Sequence, residues 1–218
     1  DPLIKAVVLK VNSPGGTVTG SDILYHELMK FKMKKNIPIV TCMMDMATSG
    51  GYYVALPADR IIAHPTTVTG SVGVVFMRPK FNGLMEKIGV GMEISKSGEN
   101  KDMGSPFRPT SAEEEKIFQK LIGNMAAKFK AKVIKHREIS EKDLKEVMSA
   151  RVYISDDALK LGLIDKIGFI YDAVDEAKMM AEIPGEVRLI VYRRTMYADD
   201  NIYNNATSQS RMRTPMVD

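Results

Sequence analysis

Cysteine and histidine are scarce in this sequence, and their scarcity excludes several kinds of chemistry. The one cysteine, Cys42, rules out a disulfide within the chain. Only three histidines are present, and none lies near Cys42 in sequence, so no Cys/His dyad is indicated. Metal-ligand spacings, a P-loop and a dinucleotide fingerprint are also missing, so we predict no metal and no cofactor.

Long apolar runs and strong charge are missing as well. No run approaches the length of a membrane span, and no signal-peptide pattern is visible. The net charge is only +4, and no basic patch with interleaved aromatic residues points to nucleic acid. With 218 residues, of which 44% are hydrophobic and 27% charged, the chain has the composition of a soluble globular domain.

Apolar segments that alternate with helical patterns predict an α/β fold. The predicted strands cover residues 4–11, 39–46, 60–63, 72–75 and 187–192. The predicted helices cover residues 21–34, 51–56, 81–87, 111–136 and 171–182, with two shorter helices capped by Ser140 and Ser155. This order is typical of a mainly parallel sheet with outer helices. We expect one domain over residues 1–195 and a flexible polar tail over residues 196–218.

The longest predicted helix has a clear start signal. Ser111 and Glu114 have the spacing of a capping box, and three successive glutamates suit the helix N-terminus. Apolar residues at intervals of four predict its buried stripe, namely Ile117, Leu121, Met125 and Phe129.

The most informative motif is ATSGGYYVA at residues 47–55. Ser49 follows an apolar strand, precedes two glycines and stands before a segment that can open a helix. The glycines let the backbone bend sharply, and a helix start offers free N–H groups that can stabilise an oxyanion. The first glycine turn of the chain, with Gly15 and Gly16, ends the strand at residues 4–11. Two such turns indicate that two backbones meet at one site.

These motifs resemble those of peptidase family S49, the signal peptide peptidase A group, which has the ClpP/crotonase-like fold. The resemblance implies a spiral of repeated ββα units with a mainly parallel sheet and outer helices. It extends over about residues 4–177. The matching segments occur in order: VNSPGG at 11–16, ATSGGYYVA at 47–55, ADRI at 58–61, TGSVGV at 69–74, SGENK at 97–101 and SPFR at 105–108.

The resemblance implies a Ser/Lys peptidase. Ser49 would be the nucleophile, Lys101 the base that accepts its proton, and Ser71 a hydrogen-bond partner of the lysine amine. The backbone N–H groups of Gly16 and Ser49 would form the oxyanion hole. From the residues alone, Lys96 is a competing candidate for the base, and a turn residue is the alternative interpretation of Ser71.

The remaining charged candidates near this site carry two expectations. Asp102 follows Lys101 directly and would keep its amine protonated if the two paired, so we expect the Asp102 side chain to point away. None of the three histidines, His26, His64 and His136, is placed to serve as the base. His136 lies at the end of the long helix, where a cation suits the helix dipole.

Substrate contacts are expected from the strand before Ser49 and from the first glycine turn. Met44, Met46 and Gly15 are the candidates, because methionine side chains adapt to varied apolar groups. Plain core packing of the methionines remains the alternative interpretation.

The resemblance also implies partners and a location. The expected substrate is an apolar peptide, such as the remnant of a signal peptide, and the expected assembly is a homo-oligomer. The catalytic domain would lie on the extracytoplasmic side of the cell membrane, held by an N-terminal anchor. Because the sequence begins at Asp1, we expect that anchor and one preceding strand to be missing. A crotonase-like acyl-CoA enzyme and a non-catalytic scaffold that binds membrane proteins are the alternatives.

Overall fold

The computed structural model describes residues 3–192, in which strands and helices alternate as predicted. The strands are β1 Val7–Ser13, β2 Ile39–Thr48, β3 Arg60–Ala63, β4 Val68–Gly70, β5 Val152–Ile154 and β6 Lys166–Ile167. The helices are α1 Val18–Lys35, α2 Gly50–Ala55, α3 Asn82–Ile88, α4 Ala112–His136, α5 Glu141–Val147, α6 Ser155–Lys160 and α7 Ile170–Met180. The predicted tail at residues 196–218 lies outside the described residues.

The sheet is built around β2 and is mainly parallel. β1 pairs with β2 along one edge, and β3 and β4 pair in succession with the other edge. β6 extends the sheet beside β3, and β5 pairs antiparallel with β4. Parallel strands end at the same edge of a sheet, so the turns after β1, β2 and β4 emerge together.

Both faces of the sheet are covered by helices. Met43 and Ala47 of β2 lie in a large core cluster with residues of α2, α4 and α6. Val40 and Cys42, on the opposite face, pack against α7. The alternation follows from the period of two along a strand. Cys42 is therefore a core thiol, and burial raises its pKa to about 11, which keeps it protonated and unreactive.

The starts of α4 and α1 are both fixed by a capping side chain. The capping box at Ser111 is present as predicted, with Glu114 N–H donating to Ser111 Oγ at 3.1 Å. The first helix begins three residues before the predicted start, because Thr17 Oγ1 accepts a hydrogen bond from Gly20 N at 3.1 Å and caps the helix. The second glycine of the first turn is thus followed almost at once by α1.

The predicted apolar stripe of α4 is wrong at two of its four positions. Leu121 and Met125 are exposed, whereas Phe118, Phe129 and Val133 are buried. Each residue turns the helix by about 100°, so Leu121 and Met125 lie on the same side of α4 as Phe118 and Phe129. They are exposed because residues 3–192 leave the middle of that side uncovered.

Three further local predictions are wrong. Residues 72–75 and 187–192 are not strands. The strand near the first range is β4, which ends before Ser71 because the backbone there turns to positive φ. The large side chains at 187–192 are exposed and bury no apolar face. Ser155 is the first residue of α6 rather than its cap, and its hydroxyl donates to the His64 carbonyl at 2.5 Å.

An exposed apolar segment leads away from the sheet after β4. It is defined by residues 75–94, and its large side chains are exposed even though α3 lies within it. The members are Val75, Phe76, Met77, Phe81, Leu84, Ile88, Val90, Met92 and Ile94. A run of this kind marks an interaction surface more often than a free face. Among residues 3–192, no helix combines the length and apolar character needed to span a membrane.

Candidate active site

Ser49 lies at a strained turn between the end of β2 and the start of α2. Its φ of 50° and ψ of −117° are uncommon for a residue with a side chain. Its hydroxyl makes no capping hydrogen bond to α2, although the residue occupies the N-cap position. The backbone is fixed on both sides, because Ser49 N donates to Gly70 O at 2.8 Å and Ser49 O accepts from Tyr53 N at 2.9 Å. The hydroxyl of Ser49 is therefore free of a capping role, and the backbone that carries it is held by hydrogen bonds on both sides.

The first glycine turn packs directly against Ser49, as expected from the two glycine motifs. A Cβ atom on Gly15 would lie 3.0 Å from Ser49 Cβ and 2.9 Å from Gly50 N. A Cβ atom on Gly50 would lie 3.1 Å from Gly16 N. Thr48 Oγ1 also donates to Pro14 O at 2.9 Å and holds the two turns together. Glycine is required at Gly15, which has a φ of +113°.

The amide of Ser49 is not available for an oxyanion hole, which corrects the sequence prediction. It already donates to Gly70 O, as described above. Gly50 N–H is the better candidate, because it is the first residue of α2 and has no acceptor within the helix. The sequence contained this signal, since any residue directly after a serine at a helix start has such an N–H group. Gly16 N lies close to Gly50, where the two turns pack together.

A cavity of about 420 Å³ opens beside the glycine turn. It lies between β1, the start of α1 and α2, so that the Gly16 backbone forms part of its wall. Its apolar lining comes from Leu9, Val11, Leu24 and Val54. An extended peptide segment could place an apolar side chain there.

Ser71 lies next to the residue whose carbonyl oxygen accepts a hydrogen bond from the Ser49 amide. Gly70, which accepts the Ser49 amide, immediately precedes it, and Ser71 N donates to Arg151 O at 2.7 Å. Ser71 has a φ of 53°, so this backbone is also strained. Its hydroxyl has no hydrogen-bond partner within residues 3–192, and it remains available to a further group.

Lys101 lies in an exposed turn. Its backbone N donates to Gly98 O at 3.1 Å, and its side chain makes no hydrogen bond or ion pair within residues 3–192. The structure of the single chain thus brings Ser49, Ser71 and the Gly15–Gly16 turn together, whereas within residues 3–192 no hydrogen bond joins the Lys101 side chain to any of them.

The expectation for Asp102 is confirmed. Its carboxylate accepts from Arg108 Nε at 2.7 Å and from Lys96 Nζ at 2.8 Å, and Lys101 is not among its partners. The hydrogen bonds from Arg108, and then from Lys96, hold the pKa of Asp102 well below its ordinary range. Lys96, the competing base, is itself committed to this ion pair.

Two of the three histidines are occupied elsewhere. His136 Nε2 lies 2.7 Å from Tyr25 Oη, and His64 Nδ1 lies 2.9 Å from Thr66 Oγ1. Burial, and then the cations around it, lower the pKa of His136 to about 4. His136 is therefore neutral, which corrects the expectation that it is a cation at the end of α4.

The methionines before Ser49 divide between core and surface. Met43 is fully buried, and Met44 packs on the α7 face with its Sδ 3.9 Å from Cys42 Sγ. Met46 is 36% exposed, because residues 44–46 bulge from β2 opposite Asn12 of β1. Asn12 stabilises the bulge by accepting from Met46 N at 3.1 Å. Met46 is thus better placed than Met44 to meet a substrate.

The fold that carries the Ser49 turn matches that of a known class of protein. The fold matches that of a ClpP1 mutant from Listeria monocytogenes with a TM-score of 0.50, over 79% of each chain and at 15% identity. The sheet is therefore that of the ClpP/crotonase-like fold. Residues 31–184 match the model of peptidase family S49, and the chain belongs to that family.

Several relatives agree with this assignment. The chain is 40% identical over 178 residues to a protein of Enterococcus faecium provisionally named signal peptide peptidase SppA. It is 36% identical over 181 residues to the chloroplastic serine protease SPPA of Arabidopsis thaliana, and 33% identical over 202 residues to protease 4 of Haemophilus influenzae. The matches cover 82%, 83% and 93% of this chain, but only 52%, 26% and 32% of the relatives. The chain thus spans about half the length of the first relative and about a third or less of the others.

Proposed function

We propose that this chain is a serine peptidase that works with a Ser/Lys dyad. The observation that carries the proposal is the strained turn at Ser49, which packs against the Gly15–Gly16 turn and whose hydroxyl is not used as a helix cap. Membership of a peptidase family supports it. The sharp turn after a strand, with a helix behind it, is the arrangement that exposes a nucleophilic serine in other hydrolases.

The proposed chemistry has two steps. Ser49 Oγ attacks the peptide carbonyl while its proton passes to the neutral Nζ of Lys101. Negative charge develops on the carbonyl oxygen, and the N–H groups of Gly16 and Gly50 stabilise it. The peptide bond then breaks, and the leaving amine takes the proton from Lys101. Water, deprotonated by Lys101, hydrolyses the ester and restores the Ser49 hydroxyl.

Lys101 can act as a base only when its amine is neutral, which requires removal from water. Lys101 is exposed in the single chain, so another surface must cover its amine and exclude water from it. We assign this role to a bound substrate together with a second copy of the chain. The exposed apolar segment at residues 75–94, which precedes Lys101, is the surface available for association. Sedimentation of the full chain as a single copy at micromolar concentration would contradict the assembly.

The base assignment is tested by two matched substitutions. Lys101→Arg should abolish hydrolysis of a saturating peptide substrate, because a guanidinium does not release its proton at ordinary pH. Lys96→Arg should retain most activity, since arginine preserves the ion pair with Asp102. The reverse result would move the base to Lys96.

The role of Ser71 is tested by a separate variant. Ser71→Ala should reduce peptide hydrolysis about 10- to 100-fold, because the Lys101 amine loses an orienting hydrogen bond worth about 1–3 kcal/mol.

The proposed substrates are apolar peptides, and signal-peptide remnants are the natural source suggested by the names of the relatives. The apolar lining of the cavity and the exposed Met46 support an apolar preference, with Gly15 available to a substrate backbone. Signal peptides lie in membranes, so the proposed location is the extracytoplasmic side of the cell membrane, with an anchor outside this sequence. Two peptides that differ only in alanine or lysine before the scissile bond test this preference. Faster cleavage of the lysine peptide would contradict it.

A further inference from the structure

We propose that Arg108 is a positioning residue whose task is to keep the Asp102 carboxylate away from the Lys101 amine. This inference rests on the proposed role of Lys101 as the base. It extends that role to a residue outside the dyad, and it explains why an acidic side chain can stand next to a lysine that must lose its proton.

The Asp102 carboxylate is held at both oxygens. Lys96 Nζ donates to Oδ1 at 2.8 Å, and Arg108 Nε donates to Oδ2 at 2.7 Å. Arg108 also donates from Nη2 to the Asp102 carbonyl oxygen at 3.3 Å, so it fixes the backbone as well as the side chain. The Asp102 side chain is only 11% exposed, whereas Lys101 beside it is exposed. The two adjacent side chains therefore point to different surroundings.

Arg108 is in turn fixed to the start of α4. Its Nη1 donates to Glu114 Oε2 at 3.0 Å, and its Nη2 donates to Glu114 Oε1. Glu114 is nearly fully buried and is part of the capping box with Ser111. The guanidinium thus links a carboxylate of the lysine turn to a carboxylate of a rigid helix end. Lysine could not make both sets of contacts, because it lacks the planar fork.

The charges around Asp102 balance without Lys101. Lys96 faces Asp102 from the preceding turn, Arg108 from the following segment and Glu114 from α4. Arg78, from the segment before α3, is paired with Glu115 instead. Two cations therefore meet two anions in this cluster. Removing Arg108 would leave one carboxylate oxygen of Asp102 without a partner. The amine of the adjacent Lys101, which no group within residues 3–192 engages, could then pair with it.

The consequence is a change in the pH dependence of the reaction. An opposite charge within about 4–6 Å favours the charged form of an ionisable group and changes its pKa by about 1–3. A carboxylate close to a lysine therefore raises the pKa of the lysine amine. The rising limb of kcat/KM against pH reports the base of the free enzyme. Loss of Arg108 should therefore move this limb to higher pH. At a fixed pH below the limb, the rate should fall about tenfold for each pH unit that the limb moves.

The experiment compares four forms of the full chain: wild type, Arg108→Gln, Asp102→Asn and the double variant. Arg108→Gln should move the rising limb upward by about one pH unit or more. Asp102→Asn removes the competing charge, so the double variant should return the limb to the wild-type position. A uniform loss of activity in Arg108→Gln, with the limb unmoved and no rescue by Asp102→Asn, would overturn the proposal.

Two further variants keep the test decisive. If Arg108→Gln does not fold, Lys96→Gln releases the other Asp102 oxygen and should move the limb in the same direction by a smaller amount. An unmoved limb in that variant would overturn the proposal. Lys101→Ala separates this inference from the function on which it rests. Activity with an unchanged limb in Lys101→Ala would refute the base assignment itself, whatever the Arg108 variants show.

Discussion

At the scale of single residues, the candidate site brings together four backbone positions of positive φ. Gly15, Ser49, Gly70 and Ser71 all have positive φ, and they belong to three turns that lie together at the sheet edge. Strain of this kind persists only where neighbouring contacts fix it, and it is common at active sites. The glycines could be predicted from the sequence as turn residues. The strain at Ser49 and Ser71 could not, because it depends on hydrogen bonds to residues distant in sequence.

The two glycines of the first turn make a matched pair for a residue-scale prediction. Gly15→Ala should lower the free energy of unfolding by about 1–3 kcal/mol, because alanine is strained at this φ and meets the Gly50 backbone. Gly16→Ala should leave stability nearly unchanged, since no atom lies within 4 Å of the added Cβ. Chemical denaturation measures both. Equal stability of the two variants would show that the turns do not pack as described.

At the scale of elements, the sequence predicted the start of α4 correctly, but it did not predict which face of α4 is buried. The cap at Ser111 depends on residues three apart, so the sequence sufficed to place the start of α4. The buried face of α4 depends on α1 and α2, which lie far earlier in the chain. Tyr53 of α2 packs on Phe129 with ring centroids 4.8 Å apart, and Tyr25 of α1 packs edge-on against Tyr53. No periodicity within α4 contains that information.

The contact between α1 and α4 predicts a pH dependence of stability. His136 has a pKa of about 4 in the folded chain, below its ordinary value of 6.5, mainly because of burial. The unfolded chain therefore binds a proton between these values when the folded chain does not, and stability falls as the pH falls through this window. We expect a loss of about 1–2 kcal/mol between pH 7 and pH 5, after allowance for partial solvent screening.

Several groups face His136 and enter this prediction. Tyr25 bonds to it, and four cations lie around it, namely Lys32, Lys132, Lys135 and Arg137. Between pH 7 and pH 5 most carboxylates stay ionised in both states, so they contribute little to the slope. His136→Gln should remove most of the pH dependence in thermal unfolding. The same slope in that variant would assign it to other groups.

At the scale of the whole molecule, the sheet unites motifs that are far apart in sequence. The turns after β1, β2 and β4 meet because these strands are parallel neighbours, and the alternating pattern of the sequence already predicted that arrangement. The sequence could not predict that the Ser49 amide is used by Gly70, since β4 was expected at residues 72–75. It also could not place Lys101 relative to Ser49. The surface beyond β4 is exposed in the single chain, and a partner would alter its surroundings.

The proposed function depends above all on Ser49 as the nucleophile of a peptidase. Its most direct test is reaction of the folded chain with a fluorophosphonate, followed by peptide mapping of the adduct by mass spectrometry. If Ser49 is the nucleophile, we expect one covalent adduct at Ser49, loss of peptide hydrolysis in proportion to labelling, and no adduct in Ser49→Ala. The assignment would be contradicted by peptide hydrolysis that survives in purified Ser49→Ala or by an adduct on another serine. The absence of any adduct would also contradict it, since that result is expected of a crotonase-like enzyme without a serine nucleophile.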